Sequence, residues 1–511
     1  GLDLSQIDAE RAVPACQTAV QNYPNVRRFY TALGYALQKR GQHQEASREY
    51  RRAAEADDPT ALTLLAGAYR EGLGLPQDYA QAFELYNRAA ALGSPAATHA
   101  IGWMYENGLG RTLDPVKAAE WYTRGAALGV AESYTQLGWL AQYGLGRKVD
   151  YQRAADQYER GAKLGSTLAM HQLGTLNQNG LGRTVDLAKA YDWYARAAQL
   201  GRAESMAVLG TFNLDGIGRP VSYDKAAEWF ERAAAAGSSA AMHQLGVINL
   251  EGLGRRADTA AAIVWFERAA AIGRSESMFR LGLVYQNGTG VPQDYARAFE
   301  WYQKGARAND PGSIHQIGWA YENGLGRPVD LARAFDWYNR AAGLGYAPSM
   351  HQIGWHYESG RGRPTDYVRA AEWYRRAADQ GYGESMNQLG WLALNGLGRS
   401  VSEADALGWF DKAANAGNLS AMWNAALLLD SGRGGPADPN KAASWLLTAF
   451  ARREANAVDA LSGDMAVFGE ETRKAVQRIL QRRGLYRGGV DGLYTQETRR
   501  AVFAYPGSLT N

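Results

Sequence analysis

A period of 36 residues constrains this chain more than any other feature it carries. From Asp58 to Arg453 the sequence divides into eleven units of 36 without an insertion. One boundary glycine recurs at Gly93, Gly129, Gly165, Gly201, Gly237, Gly273, Gly345, Gly381 and Gly417, and fails only at Asn309 and Arg453. A second pair recurs inside the unit, as in Gly108 and Gly110 or Gly324 and Gly326. Glycines at such spacing punctuate helices, because they adopt the left-handed backbone that ends a helix and that other residues avoid. Between the marks, Met170, Leu173 and Gly174, and then Ala190, Trp193, Tyr194, Ala197 and Ala198, fall at the i, i+3, i+4 spacing of one helical face. Each unit therefore reads as helix, turn, helix.

The second helix has a start signal in every unit. Asp78, Asp114, Asp150, Asp186, Asp258, Asp294, Asp330, Asp366 and Asp438, with Ser222 and Ser402, are N-cap types whose side chains accept a hydrogen bond from an orphan backbone N–H. A glycine in the middle of the first helix, at Gly102, Gly138, Gly174 and Gly210, costs roughly 1 kcal/mol against alanine. Its repetition implies a neighbour that comes too close for a side chain. Seven of the nine methionines (Met170, Met206, Met242, Met278, Met350, Met386, Met422) share one first-helix position and are expected in the core.

At 511 residues the chain exceeds what one core organises, and the period makes it one repeat array rather than several globular domains. The 59 Gly, 15 Trp and 29 Tyr fit the recurrence of one small motif. A net charge of +3 gives no reason to expect nucleic acid. The single cysteine, Cys16, excludes a disulfide within the chain and is expected as a small buried residue. No run approaches the ~18 apolar residues of a membrane helix. The chain starts at Gly1 without a Met, which points to removal of a preceding segment.

The string AIGWMYENGLGRTLDPVKAAEWYTRGAALG resembles the Sel-one-like repeat family, related to tetratricopeptide repeats, and the resemblance covers residues 58–453. Residues 24–57, with LGYALQKRGQHQEASREYRRAAE, resemble a tetratricopeptide-like capping repeat. The organisation expected is N-terminal capping helices over 1–57, eleven repeats over 58–453, and a linker with a small helical domain over 454–511. The fold class expected is all-α, a right-handed α/α superhelical solenoid. The resemblance implies a superhelix whose first helices line a concave face, and an adaptor role for other proteins.

The positions adjoining the core on the first helix carry the candidate binding residues. One holds His99, His171, His243, His315 and His351, and another holds Trp103, Trp139, Trp319, Trp355 and Trp391. Gln172, Gln244, Gln316 and Gln352 stand beside them. Large rigid rings next to side-chain amides suit a protein or peptide groove. The competing reading is that these residues pack between helices and fix the pitch of the array. His99, His171, His243 and His315 recur every 72 residues, and alternate units carry Glu and Ser instead, so two helix types interleave. Helices packed ~10 Å apart cannot bring such histidines within the ~2.1 Å bonds of one zinc ion, so no metal or cofactor is expected. Arg111, Arg147, Arg183, Arg219, Arg255, Arg327, Arg363 and Arg399 follow the turn and form a basic row, either capping carbonyls and carboxylates or facing an anionic partner.

Beyond Arg453 the period stops. AVQRILQRRGLYRGGVDGLYTQETRRAVFAY resembles a small peptidoglycan-binding domain of cell-wall hydrolases, over about residues 463–506. The resemblance assigns glycan binding to Gln477, Tyr486, Asp491, Gly492 and Thr498. Thr495 stands where the family has a glycine, and Ala504 follows Phe503 where it has a glutamine, which puts that binding in doubt. Eight basic against four acidic residues between Glu470 and Arg500 suit wall carboxylates.

No zinc-protease helix, nucleophile elbow or phosphate loop is present in the sequence, so no enzyme activity is expected. The leading reading is a non-catalytic interaction scaffold in the periplasm or envelope of a Gram-negative bacterium, docked to peptidoglycan by its tail. The alternatives are the partner-recognition portion of a larger enzyme, such as one with a caspase-like domain, and a wall-active enzyme.

Overall fold

A computed structural model of the chain describes residues 8–506, so Gly1 lies outside the described residues. Within them are 28 α-helices and no strand. The chain divides into two compact units, Gly1–Ala257 and Asp258–Asn511, the division falling between the two helices of the sixth repeat, Ser239–Glu251 and Thr259–Ala271. Within each unit every helix up to Pro439–Ala451 packs on the next in chain order, first on its partner in the repeat and then on the following repeat, and Glu470–Arg482 packs back on Pro439–Ala451.

The second repeat shows how the turn works. Its first helix, Pro95–Asn107, is capped by the Ser94 hydroxyl, which accepts from the Ala97 N–H, and ends at Gly108 with φ +66°. Gly110, at φ +67°, lies so close to the preceding repeat that a Cβ there would stand 2.6 Å from the Tyr79 carbonyl oxygen. Asp114 then opens Pro115–Ala127, and its carboxylate accepts from the N–H groups of Val116 and Lys117. Of the eleven expected N-caps, all occupy the cap position and ten accept such a bond. Ser222 is the exception.

The mid-helix glycine makes room for a ring of its own repeat. A Cβ would stand 2.7 Å from the Tyr122 ring at Gly102, 2.5 Å from Tyr158 at Gly138 and 2.6 Å from Tyr194 at Gly174. A buried tyrosine needs a partner for its hydroxyl, and the last turn of the first helix supplies one. Tyr158 donates to Gln142 Oε1 at 2.9 Å, Tyr194 to Gln178 at 2.9 Å and Tyr302 to Gln286 at 2.8 Å. Where the ring is phenylalanine, at Phe230 and Phe410, the partner position holds Leu214 and Leu394. Ring and partner change together, because a buried amide without a donor would cost about 1–3 kcal/mol.

The ends are variants of the same unit. Helices α1 (Ala9–Asn22), α2 (Arg27–Lys39) and α3 (His43–Ala54) open the chain. Gly34 receives the Tyr50 ring, and Tyr50 donates to Gln38 Oε1 at 2.7 Å. The α2–α3 pair is thus a repeat with a shortened turn, 40–42 in place of a turn such as 72–78. Cys16 is half-buried against this core.

At the other end, the helices Ala455–Ser462, Glu470–Arg482 and Gln496–Ala504 share one core with the last repeats, where Leu461, Met465, Phe468, Val476 and Val502 join Leu446, Leu447 and Phe450. Asp430 sits where other repeats hold the tyrosine's partner, but Leu446 stands opposite it. Its carboxylate instead accepts from the Gly469 N–H at 3.0 Å. Trp423 meets the Phe468 ring edge-on at 5.5 Å. The stretch expected as a linker is therefore a packed segment that closes the array.

Candidate functional site

The histidine row ties repeats together. His99, His171, His315 and His351 each place Nδ1 2.8–3.0 Å from the hydroxyl of a serine in the next repeat, Ser133, Ser205, Ser349 and Ser385. Each ring also packs against its repeat's tyrosine, as His171 does on Tyr194 at 5.1 Å. Burial pushes His171, His315 and His351 down to about 4, and lowers His99, so they are neutral at pH 7. This pairing accounts for the serine that follows each of these histidines 34 residues on, and the ninth repeat carries both halves, Ser349 toward His315 and His351 toward Ser385. Ser313, which follows Phe279 instead of a histidine, has no side-chain partner among the described residues.

The tryptophan row is less uniform. Trp103, Trp139, Trp319 and Trp355 are half-buried, and Trp391 is 45% exposed. Tyr143 packs at a tilt against Trp139, with ring centroids 4.2 Å apart. His99 and Trp103 line a cavity of about 790 Å³ with Thr63, Tyr86 and Arg70, whose guanidinium lies 5.1 Å from the Trp103 ring. A second cavity, of about 320 Å³, brings together Trp319, His351, Gln352 and Trp355 with Glu322, Asn323 and Arg361. His171, Gln172, His243, Gln244, His315, Gln316, Trp139 and Trp391 line neither of these two cavities.

The floor of the second cavity is charged: Glu106 and Glu358 also accept from a notch tyrosine, but here the next repeat sets a histidine and an arginine against the carboxylate. Glu322 is only 4% exposed. Its Oε2 accepts from the Tyr338 hydroxyl at 2.6 Å, and its Oε1 stands 3.4 Å from His356 Nε2 and 3.6 Å from the Arg361 guanidinium. Burial alone would raise this carboxyl, but His356, the Tyr338 hydroxyl and Arg361 around it outweigh that and hold the group below the usual carboxylate range. His356 is fully buried, with Nδ1 3.1 Å from the Arg361 carbonyl oxygen. Arg361 is 40% exposed and lies over the Trp355 ring at 4.8 Å.

Sequence reasoning passed over Glu322, His356 and Arg361, although each position carries a signal. His356 occupies a core column that reads Leu140, Leu176, Phe212, Ile248, Val284, Ala320 and Leu392 in other repeats. Arg361 replaces the leucine of the turn, as at Leu109, Leu145, Leu181 and Leu325. Both departures fall in one repeat, and both face the same carboxylate of the repeat before it.

The basic row is largely committed to the fold. Arg111 lies 4.1 Å from the Phe83 ring and pairs with Glu84 at 2.7 Å; Arg219 lies 3.2 Å from Tyr191. Arg327 and Arg363 stack on Phe299 and Phe335. Arg399 pairs with Asp405.

In the tail, four of the five residues assigned to glycan are interior. Gln477, Tyr486, Gly492 and Thr498 are buried, and Asp491 alone is exposed. Gln477 accepts from the Gly492 N–H at 2.8 Å and donates to Asp491 Oδ1 at 3.1 Å and the Leu493 carbonyl at 2.9 Å; Tyr486 donates to the Gly489 carbonyl at 3.0 Å. These contacts hold the turn in shape.

Among the described residues, no three His, Cys, Asp or Glu side chains are grouped to hold a metal ion, and no helix is long and apolar enough to cross a membrane. No curated protein matches the chain. Among solved structures, it is similar to a protective antigen of uropathogenic Escherichia coli strains displaying an SLR fold, at 26% identity over 90% of this chain and 93% of that one, with a TM-score of 0.53. It is also similar to a Sel1 repeat protein from Oxalobacter formigenes, at 31% identity over 47% of this chain and 98% of that one, with a TM-score of 0.44. The Sel1 repeat model matches eleven times in succession between residues 59 and 452, in the frame set by the glycines and N-caps. The chain belongs to the Sel1 repeat family.

Proposed function

We propose that this chain is a non-catalytic protein-interaction scaffold that holds a protein or peptide segment on its first-helix face, with the pocket between Trp319 and Trp355 as an anchor. One observation carries the reading: two tryptophans of successive repeats wall a cavity of about 320 Å³ whose rim includes the Gln352 amide. Aromatic anchors around a desolvated pocket supply most of the energy in protein recognition. The test is to pan a random 12-residue display library on the full chain and on a Trp319→Ala/Trp355→Ala variant whose helicity is checked by circular dichroism. Binders that lose the variant support the reading. Binders indifferent to it would place the interaction elsewhere.

Peptidoglycan docking and an envelope location belong to this proposal through the resemblance of residues 463–506 alone. Co-sedimentation with purified sacculi tests both, since protein left wholly in the supernatant removes the docking and the reason for that location.

A further inference from the structure

We infer that the Trp319–Trp355 pocket takes an acidic side chain of the partner through the Arg361 guanidinium. The inference rests on the peptide-groove reading above and specifies its chemistry.

The charge balance of the pocket decides between an acidic and a basic guest. Glu322 is the obvious lure for a cation, yet it has nothing left to offer. Tyr338, His356 and Arg361 already surround its two oxygens, and it is 4% exposed. A guest ammonium would have to displace Arg361 and enter a buried site, which costs more than it returns. Arg361 is in the opposite position. It is 40% exposed, and Glu322 sees it only at 3.6 Å from one terminal nitrogen. A guanidinium carries five N–H donors in a rigid fork and matches a carboxylate with two parallel bonds. A cation–π contact with the Trp355 ring at 4.8 Å helps hold it at the rim. The Gln352 side chain, which has no hydrogen-bond partner among the described residues, stands on the same rim with a further amide donor. An apolar neighbour of the acidic group fits between the two indoles. Glu322 and His356 therefore act as positioning residues, holding the guanidinium at the mouth of the pocket.

The same array offers a control that preserves the fold. Leucine stands at the Arg361 position in the turns at Leu109, Leu145, Leu181 and Leu325, so Arg361→Leu gives the ninth repeat what its neighbours already carry. Peptides selected from the library on the wild-type full chain are expected to share an Asp or a Glu, and peptides held only by a free C-terminal carboxylate would overturn the inference. The affinity of the acidic peptides should fall about tenfold or more on Arg361→Leu, the worth of a charge-assisted hydrogen bond, and by a similar factor when the acid is replaced by its amide. Selected peptides that are neutral or rich in Lys and Arg, yet still lost on Trp319→Ala/Trp355→Ala, would overturn the inference and leave the groove intact. Acidic peptides that bind Arg361→Leu as well as wild type would overturn it too. A library with no tryptophan-dependent binder would remove the groove itself.

Discussion

The junction of the third and fourth repeats and the junction of the eighth and ninth are built from the same parts until the last few side chains. Each has a tryptophan, Trp139 or Trp319, a glutamine, Gln172 or Gln352, and a tyrosine in a glycine notch, Tyr158 or Tyr338. Each has a histidine tied to the next repeat, His171 to Ser205 and His351 to Ser385. At the first junction Tyr158 donates to neutral Gln142, Leu176 and Leu181 take the two remaining places, and Tyr143 packs against Trp139. At the second, Glu322, His356 and Arg361 stand at those three positions and Asn323 stands where Tyr143 would be. One scaffold thus closes over itself in one place and opens a charged pocket in another. The lesson is that the difference between the junctions is written as a departure from the period, and buried charge is what the departure costs in stability.

Acid should produce the largest change, and it should not distinguish the junctions. His171, His315 and His351 sit near 4 in the fold against about 6.5 unfolded, so the fold favours their neutral form. Their contribution is complete above about pH 6.5 and is lost as pH falls from there through 4, up to roughly 3 kcal/mol for each. Amide-exchange protection of Thr167–Asn179 and Ala347–Ser359 should fall together between pH 7 and pH 4.5. Protection that survives around His171 while it is lost around His351 would mean that the histidine tie does not hold the neutral junction.

Glu322→Leu should separate the two. It strands His356 and the Tyr338 hydroxyl, and the cost expected is about 3 kcal/mol. Gln142→Leu strands only the Tyr158 hydroxyl, for about 1 kcal/mol. Local exchange in Pro311–Asn323 and Ala131–Tyr143 reads each separately, since a solenoid opens locally. Equal losses would show that the charged cluster is held no more tightly than a neutral pair.

The smallest effect expected is a gain. The triple variant Glu322→Gln/His356→Leu/Arg361→Leu copies the third and fourth repeats into the eighth and ninth. Removing a buried charged group together with its partners should leave stability unchanged or raise it by about 1–2 kcal/mol. A loss would mean that the charged cluster supports the fold.

What could be read from the sequence was what obeys local rules. The helix pairs, the ten working N-caps and the notch glycines follow from short spacings, and all are in place. The partner of the notch was less legible. Gly138 announced a close neighbour, but only the fold shows that it is the Tyr158 ring, whose hydroxyl then accounts for Gln142. The site was legible at Trp319, Gln352 and Trp355, because they recur. His356 and Arg361 were hidden by the same habit, since attention to repeated columns passes over exceptions, and Glu322 was hidden because Glu106 and Glu358 share its column without such companions. The docking of the tail could not be read at all, because it depends on Asp430 meeting Gly469, 39 positions apart and outside any period.

Ring and partner of each notch lie within one repeat, whereas Glu322 and its companions His356 and Arg361 lie in successive ones. Unequal exchange that duplicates or deletes a whole 36-residue cassette therefore leaves every notch tyrosine with its own partner, and elsewhere in the array disturbs little beyond a histidine–serine bond. A cassette inserted after Gly345 would set a leucine-bearing repeat against Glu322 and erase the pocket without breaking the array. Length can drift by whole cassettes along the chain, but this one seam has an address, and a lineage that keeps the pocket must keep those two neighbours side by side.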